Sequence, residues 1–463
     1  MTHLIRVGGL AVILAVFGIF FFILKEIVPL FSKAEVVAEA VTQTKTAPKV
    51  IGVDEWGQRP FLYTGGDEIV VLSGETGERE SIPVPSLAEV EVTAVSYDPV
   101  NQRVTLGLAD GRVGSFLVEY ESVFREGQPR EVAVSVVEEP WYELETGDGP
   151  VRSVSYGDGG AKRLISVVRE TGVAVVQLVQ KRSLIGKGKL TRVGETDLSA
   201  QIPAEVISTA ASQNGQAVLI STAAGKVHYF KMDEGELGEV QQFEPFDGKP
   251  ARRMDYLFGG VSVAMTDEAG QQRVYSLFRP EGSNTRLFGQ TKEFAPVGEG
   301  VPVFASSLRN KSFLCGAGGN LAVRHLTSGA TRWEGKAEFE PVAVTIDGKV
   351  ENFFLAGPEG QVQRFSLHDP HPESGWRAFF GKVWYEGGSE PVHQWQSTGG
   401  SDDFEPKLSL VPLIIGSLKG TFYALLFSVP IALLAAVFSA AFLPPAMKRI
   451  VKPSMEIMAS LPS

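Results

Sequence analysis

Residues 103–120 read RVTLGLADGRVGSFLVEY: an apolar run, a turn at Gly111, then a second apolar run. Both runs are strand-length and rich in β-branched and aromatic residues. A glycine between them supplies the positive φ that a tight hairpin demands. The pattern recurs as RPFLYTGGDEIVVLSG, RLISVVRETGVAVVQLVQ, AVLISTAAGKVHYFKMD, VSVAMTDEAGQQRVYSLFR, SFLCGAGGNLAVRHLTSG and NFFLAGPEGQVQRFSLHD. Aligned on Gly66, Gly111, Gly172, Gly225, Gly270, Gly319 and Gly360, the units follow one another at intervals of 41 to 61 residues. A further strand-like piece precedes most of them: VTAVSYDP, VRSVSYGD, EVISTAAS, PVFASSLR and PVAVTIDG. Each unit thus holds at least three strands, with room for a fourth in the polar stretch that follows. Units of this length and strand count are propeller blades. The expected fold of residues 50–370 is all-β, a seven-bladed β-propeller. A pair of β-sandwiches is the alternative, but it does not require so regular a spacing. The Gly-His and Trp-Asp pairs of WD repeats are missing, so the likeness to WD-type propellers lies in layout alone.

The composition narrows the function classes. The 463 residues include 43 basic and 54 acidic side chains, a formal net charge of −11. A nucleic-acid partner calls for a basic footprint, which this balance does not provide. The single cysteine, Cys315, excludes an intramolecular disulfide and reads as a small buried hydrophobe within Ser312-Phe313-Leu314-Cys315. His368, Asp369 and His371 have metal-ligand chemistry but sit in a Pro-rich exit from the last blade. Asp402, Asp403 and Glu405 form an acidic run that reads as a solvated loop. No Ser/His/Asp set and no phosphate-cradling glycine loop stands out. The chain is therefore expected not to be an enzyme and to hold no cofactor or metal of its own.

Both ends of the chain are apolar. Val7–Leu24 carries no charge, and Ile27–Phe31 extends it past Lys25 and Glu26. The bulky Phe20, Phe21 and Phe22 at its end argue against a signal-peptide cleavage site. An uncleaved span over residues 1–31 is expected, with His3 and Arg6 on the cytoplasmic side. A linker of residues 32–49 follows. Near the other end, Gly420–Leu443 is uncharged. As a helix these residues extend about 36 Å, against a hydrocarbon core of about 30 Å. Lys448, Arg449 and Lys452 beyond it mark the cytoplasmic side again. The propeller would then lie outside the cytoplasm. That is periplasmic in a bacterium, with the chain crossing the inner membrane more than once.

Between propeller and span, Trp376, Phe379, Phe380, Val383 and Trp384 share one helical face, which suits a membrane interface or packing on the propeller. Residues 371–407 are read as this amphipathic helix and a linker. Residues 408–419 are read as an elbow around Pro412 and Gly416, with Lys419 snorkelling at the outer interface. The span of 420–443 contains Pro430. A cytoplasmic turn over 444–453 and the start of a further helix at 454–463 complete the chain, which ends inside an unfinished element.

The C-terminal stretch also carries a family resemblance. Trp395-Gln396-Ser397, the block Glu405-Pro406-Lys407 through Pro412-Leu413, the run Gly416 to Thr421 with Lys419, and Lys452-Pro453 followed by Glu456 to Pro462-Ser463 are similar to permease subunits of phosphate-specific ABC transporters, of the PstC type. The N-terminal GGLAVILAVFGIFFFILKEIVPLF resembles the first helix of that family. The resemblance implies a propeller inserted between transmembrane helices at the start of a MetI-like membrane domain that is C-terminally truncated. It also implies an importer of inorganic phosphate. Its expected partners are a second permease subunit, cytoplasmic ATPase subunits that bind the ATP, a periplasmic phosphate-binding protein and the lipid bilayer. The propeller would dock or regulate. The alternative is a membrane-anchored propeller scaffold or sensor without transport activity.

Overall fold

The computed structural model describes residues 2–44, 47–73, 78–124, 130–181, 188, 190–401 and 403–460. Asp402 and the closing Leu461-Pro462-Ser463 lie outside the described residues.

Seven antiparallel sheets follow one another along the chain. Their inner strands are Val50–Gly52, Val92–Asp98, Val151–Asp158, Val206–Ala211, Arg253–Tyr256, Val303–Ser306 and Ala343–Ile346. From each, three further strands step outward in order, in blades 1 to 6. The strands near the middle of a blade are buried on both faces, because each sheet packs against the sheet on either side. Arg103–Leu108 and Ala217–Thr222 are accordingly buried at every position, and they read as continuous runs rather than alternating ones. An outer strand such as Glu131–Glu138 has an exposed face and alternates.

The cores lie between blades and run right round the ring. Phe61, Ile69 and Val71 of blade 1 meet Val104, Leu106 and Phe116 of blade 2. Leu321 and Val323 of blade 6 meet Phe353 and Phe365 of blade 7. Ile51 and Leu62 of blade 1 meet Phe354 and Ala356 of blade 7, which completes the circle. The ring excludes the two-sandwich alternative.

Blade 7 takes its outer strand from the other end of the chain. Glu35–Ala38 pairs antiparallel with Gln361–His368, in the register Glu35↔His368, Val36↔Leu367, Val37↔Ser366 and Ala38↔Phe365. Thr42–Gln43 continues on the same strand. Within the expected linker of residues 32–49, residues 35–38 and 42–43 are therefore not free. They close the ring through backbone hydrogen bonds, joining its first and last segments.

Four α-helices lie outside the blades among the described residues. Helix α1 (Thr2–Ile27) runs into a 3-10 turn, Val28–Phe31. Helix α2 (Trp376–Phe380) is a single short helix. The amphipathic pattern predicted its extension to Trp384. Instead Gly381 takes an extended conformation, and Val383 bridges to Val392. Helix α3 (Val411–Ala441) starts inside the expected elbow of 408–419 and runs unbroken through the rest of it. Pro412 occupies its first turn, where no intrahelical N–H is required. Helix α4 (Pro445–Ser460) runs on through Pro453, so the break after the span is confined to Phe442–Pro444 rather than covering 444–453.

Candidate functional site

The inner strands of all seven blades surround an axial cavity of about 570 Å³. Its wall mixes apolar and polar groups and includes small hydroxyls, among them Ser96, Ser153, Ser208 and Thr345. Its most prominent charges cancel: Arg253 donates to both carboxylate oxygens of Asp255, at 2.6 and 2.9 Å. No histidine or cysteine lines the cavity among the described residues, and no group of three or more His, Cys, Asp or Glu has metal-binding geometry. The cavity presents hydrogen-bonding groups from all seven blades.

Each inner strand ends in a sharp turn, and most of these turns are capped by a short polar side chain. Asp98 accepts from the Val100 N–H, Asp158 from that of Gly160, Ser212 from that of Ala217, Ser307 from that of Arg309 and Asp347 from that of Glu351. These side chains take the place of an absent backbone partner, the usual work of Asp and Ser in turns. The glycines on the far side of the blades have a different reason. Gly225 has φ +79°, and a Cβ there would lie 2.3 Å from the Gly248 carbonyl carbon.

Buried ion pairs bind neighbouring blades. Arg103, 1% exposed, donates to Glu139 and, at 2.9 Å, to Asp158 of the next blade, and its guanidinium lies 4.3 Å from the Tyr156 ring centre. Arg163 reaches the other Asp158 oxygen at 3.0 Å. Arg332 of blade 6 clamps Asp369 with two hydrogen bonds, of 2.9 and 2.7 Å, and also donates to the Ser32 carbonyl at 2.8 Å. Asp369 is thus committed to an arginine rather than to a metal with His368 and His371. His325 is buried beside this clamp. Burial first, then the charges of Arg332, Lys311 and Lys292, push its pKa down to about 3.

The segment 371–409 is strapped across blades 5 and 6. Glu405, 7% exposed, accepts from the Thr327 hydroxyl at 2.5 Å and from the Glu386 N–H at 2.7 Å. Burial and the neighbouring Glu386 raise its pKa. Glu386 in turn receives Lys311 Nζ and Ser262 Oγ, both at 2.6 Å. Lys292 donates to the Trp384 carbonyl at 2.7 Å, and burial pushes its pKa down to about 8. Glu405 is therefore a structural tie and not part of a solvated acidic loop; Asp403 is exposed.

The remaining residues singled out in the sequence scatter along the chain. Trp395 and Gln396 pair with Leu408 and Lys407 in a two-stranded ribbon. Ser397 is exposed and Pro406 half-buried. Pro412, Lys419 and Pro430 lie exposed along α3, and Pro453 and Glu456 along α4. Pro462 is outside the described residues. Apart from the ribbon and Glu405, these residues do not come together, and none reaches the axial cavity. Cys315 is fully buried, as its apolar run predicts.

Two helical stretches, Leu10–Phe31 and Val411–Ala441, are long and apolar enough to cross a membrane, and neither is buried against the rest of the chain. No protein-family model matches the chain, and no curated protein matches it. Solved structures do. The β-propeller domain of Cps50 (Swd1) from Myceliophteria thermophila aligns with a TM-score of 0.50 at 9% identity, over 72% of this chain and 99% of that domain. Raptor from Chaetomium thermophilum aligns at 0.50 and 12% identity, over 73% of this chain and 29% of its own. The fold is thus a seven-bladed β-propeller, and at these identities the likeness shows the fold alone.

These findings overturn the resemblance to a phosphate transporter permease. The similarity runs to propeller proteins, no permease family matches, and only two candidate spans are present among the described residues. The second permease, the ATPase subunits, the phosphate-binding protein and the MetI-like membrane domain fall with it. Much of what carried the resemblance lies in apolar helices with proline, small residues and a basic flank. Such stretches reflect what a bilayer demands of a spanning helix more than one family's ancestry.

Proposed function

We propose that the chain is a membrane-anchored propeller scaffold, a rigid platform that presents its rims and axial cavity to a protein partner. One observation carries this reading. The strand that closes the ring and the strap that leaves it both lead, at one place, into exposed apolar helices. Phe31, at the end of the first, packs its ring against Trp376 and Phe379 of the strap. The Leu410 N–H, at the start of the second, binds the Phe379 carbonyl at 2.8 Å. A ring tethered at one seam by two antiparallel spans is held firmly while most of its surface stays open. With Lys448, Arg449 and Lys452 past the second span, the basic-side rule puts the propeller on the non-cytoplasmic face.

The reading is tested by expressing the full chain and a form limited to residues 28–410, then extracting membranes with alkaline carbonate. The full chain should stay in the membrane and the shortened form should be released folded. Release of the full chain by carbonate would refute the anchor. Protease added to intact cells or spheroplasts should reach the propeller; protection from it would refute the orientation.

A further inference from the structure

We infer that the outward face of α2, with Phe31, is a lipid-contact surface that seats the propeller on the phospholipid interface, at the level of the headgroups and upper acyl chains. The inference rests on the anchored reading and deepens it. Helix α2 is fixed from both sides. The Ser374 hydroxyl, just before it, donates to the Leu30 carbonyl at 2.6 Å. Phe31 lies 4.8 Å from the Trp376 ring and 5.4 Å from that of Phe379. At the other end the Phe379 carbonyl receives the Leu410 N–H. Helix α2 therefore bridges the points where the two apolar helices leave the propeller. In an anchored chain those points define the edge of the bilayer.

The two faces of α2 differ. Ala378 and Phe379 are buried, at 4% and 7% exposure. Trp376 and Phe380, whose rings stack 5.6 Å apart, are 70% and 44% exposed, and Phe31 is 37% exposed. Three large aromatic groups thus form an open patch beside both spans, flanked by the exposed cations Arg377 and Lys382. Tryptophan and phenylalanine rings with cations beside them match the interface, where apolar rings face acyl chains and cations face phosphate. Continuity with two membrane helices selects lipid as the occupant, ahead of a second protein.

The test uses the full chain reconstituted in phosphatidylcholine vesicles brominated either near the glycerol or at mid-chain. In one variant the other five tryptophans are replaced by phenylalanine, leaving Trp376 alone. In a second, Trp376 is also replaced and Phe427→Trp places the reporter midway along α3. Trp376 should be quenched several-fold more strongly by the shallow bromines, and the α3 reporter by the deep ones. Quenching of the α3 reporter without quenching of Trp376 would overturn this inference and leave the anchor standing, with water or a protein covering the ring. Absence of quenching at both would overturn the anchored reading itself. A third chain, with all native tryptophans except for Trp376→Ser, changes only an exposed residue. It should lose the shallow-quenched fraction of the emission, and retention of that fraction would contradict the inference.

Discussion

Replacing Arg332 by methionine should open the propeller at its closing seam. Its side chain is 9% exposed and holds the Asp369 side chain, 6% exposed, in a two-point contact while a further N–H holds the Ser32 carbonyl. Methionine keeps much of the volume but leaves the carboxylate buried without its partner. Breaking a buried pair from one side costs about 3–5 kcal/mol. The three tethered segments belong to blade 6, the end of blade 7 and the stretch just before the closing strand. The cost should therefore fall on closure and not be spread round the ring. Amide exchange followed by mass spectrometry reads this directly. In Arg332→Met, exchange at Glu35–Ala38 should accelerate by about a hundredfold or more, since each 1.4 kcal/mol is about tenfold. Blades 2 to 4 should be unchanged. The double variant Arg332→Met/Asp369→Leu removes both charges and should recover most of the protection, because replacing a whole buried pair is close to neutral. If Arg332→Met changes exchange at the closing strand by less than about fivefold, comparable to losing a surface pair, the clamp does not hold the seam.

Other outcomes follow from the same packing. Arg103→Met removes one of the two arginines that hold Glu139 and Asp158, leaving Arg163 on both, and should cost about 1–3 kcal/mol in chemical denaturation, with the loss concentrated at the junction of blades 2 and 3. Acid should destabilise the propeller through His325: its folded pKa is about 3 against about 6.5 unfolded, so stability present above the unfolded value is lost as pH falls from 6.5 toward 3. The loss by pH of about 4.5 is ~3 kcal/mol, and His325→Gln should flatten the profile in urea titrations across that window. Gly225→Ala meets both a positive φ and the Gly248 backbone, and should lower the melting temperature by several degrees, whereas Gly238→Ala, with open space around it, should not.

Much of the ring was legible because its demands are local. Five of the seven aligned glycines, Gly111, Gly225, Gly270, Gly319 and Gly360, take the positive φ expected of them, while Gly66 and Gly172 mark their turns without it. The pieces VTAVSYDP, VRSVSYGD, EVISTAAS, PVFASSLR and PVAVTIDG also contain the capping residues Asp98, Asp158, Ser212, Ser307 and Asp347, a repeat less conspicuous than the glycines. The closing strand was not legible. Glu35–Ala38 is only four residues long, too short for its two valines to mark a strand, and its partner lies more than 300 residues away in the sequence. The strap was hidden for the same reason. Glu405 meets Thr327 across 78 positions, so an acidic run that looks solvated from its neighbours contains a buried tie. The amphipathic face at 376–384 divided into an inward Phe379 and Val383 and an outward Trp376, a split that periodicity does not reveal. The permease resemblance drew in large part on apolar helices, where the bilayer's constraints narrow the choice of residues and different proteins converge.

The central claim is that the N-terminal segment closes blade 7 and so brings both apolar helices to one seam. Cysteines introduced at Val37 and Ser366, which face each other across the closing pair, test it most directly. The native Cys315 is fully buried and does not compete. In membranes holding the full chain, mild oxidation should link the pair nearly completely, as mass mapping of the joined peptides would show. Absence of the link in a chain whose propeller still resists proteolysis would mean that the ring is closed some other way and that the shared seam does not exist.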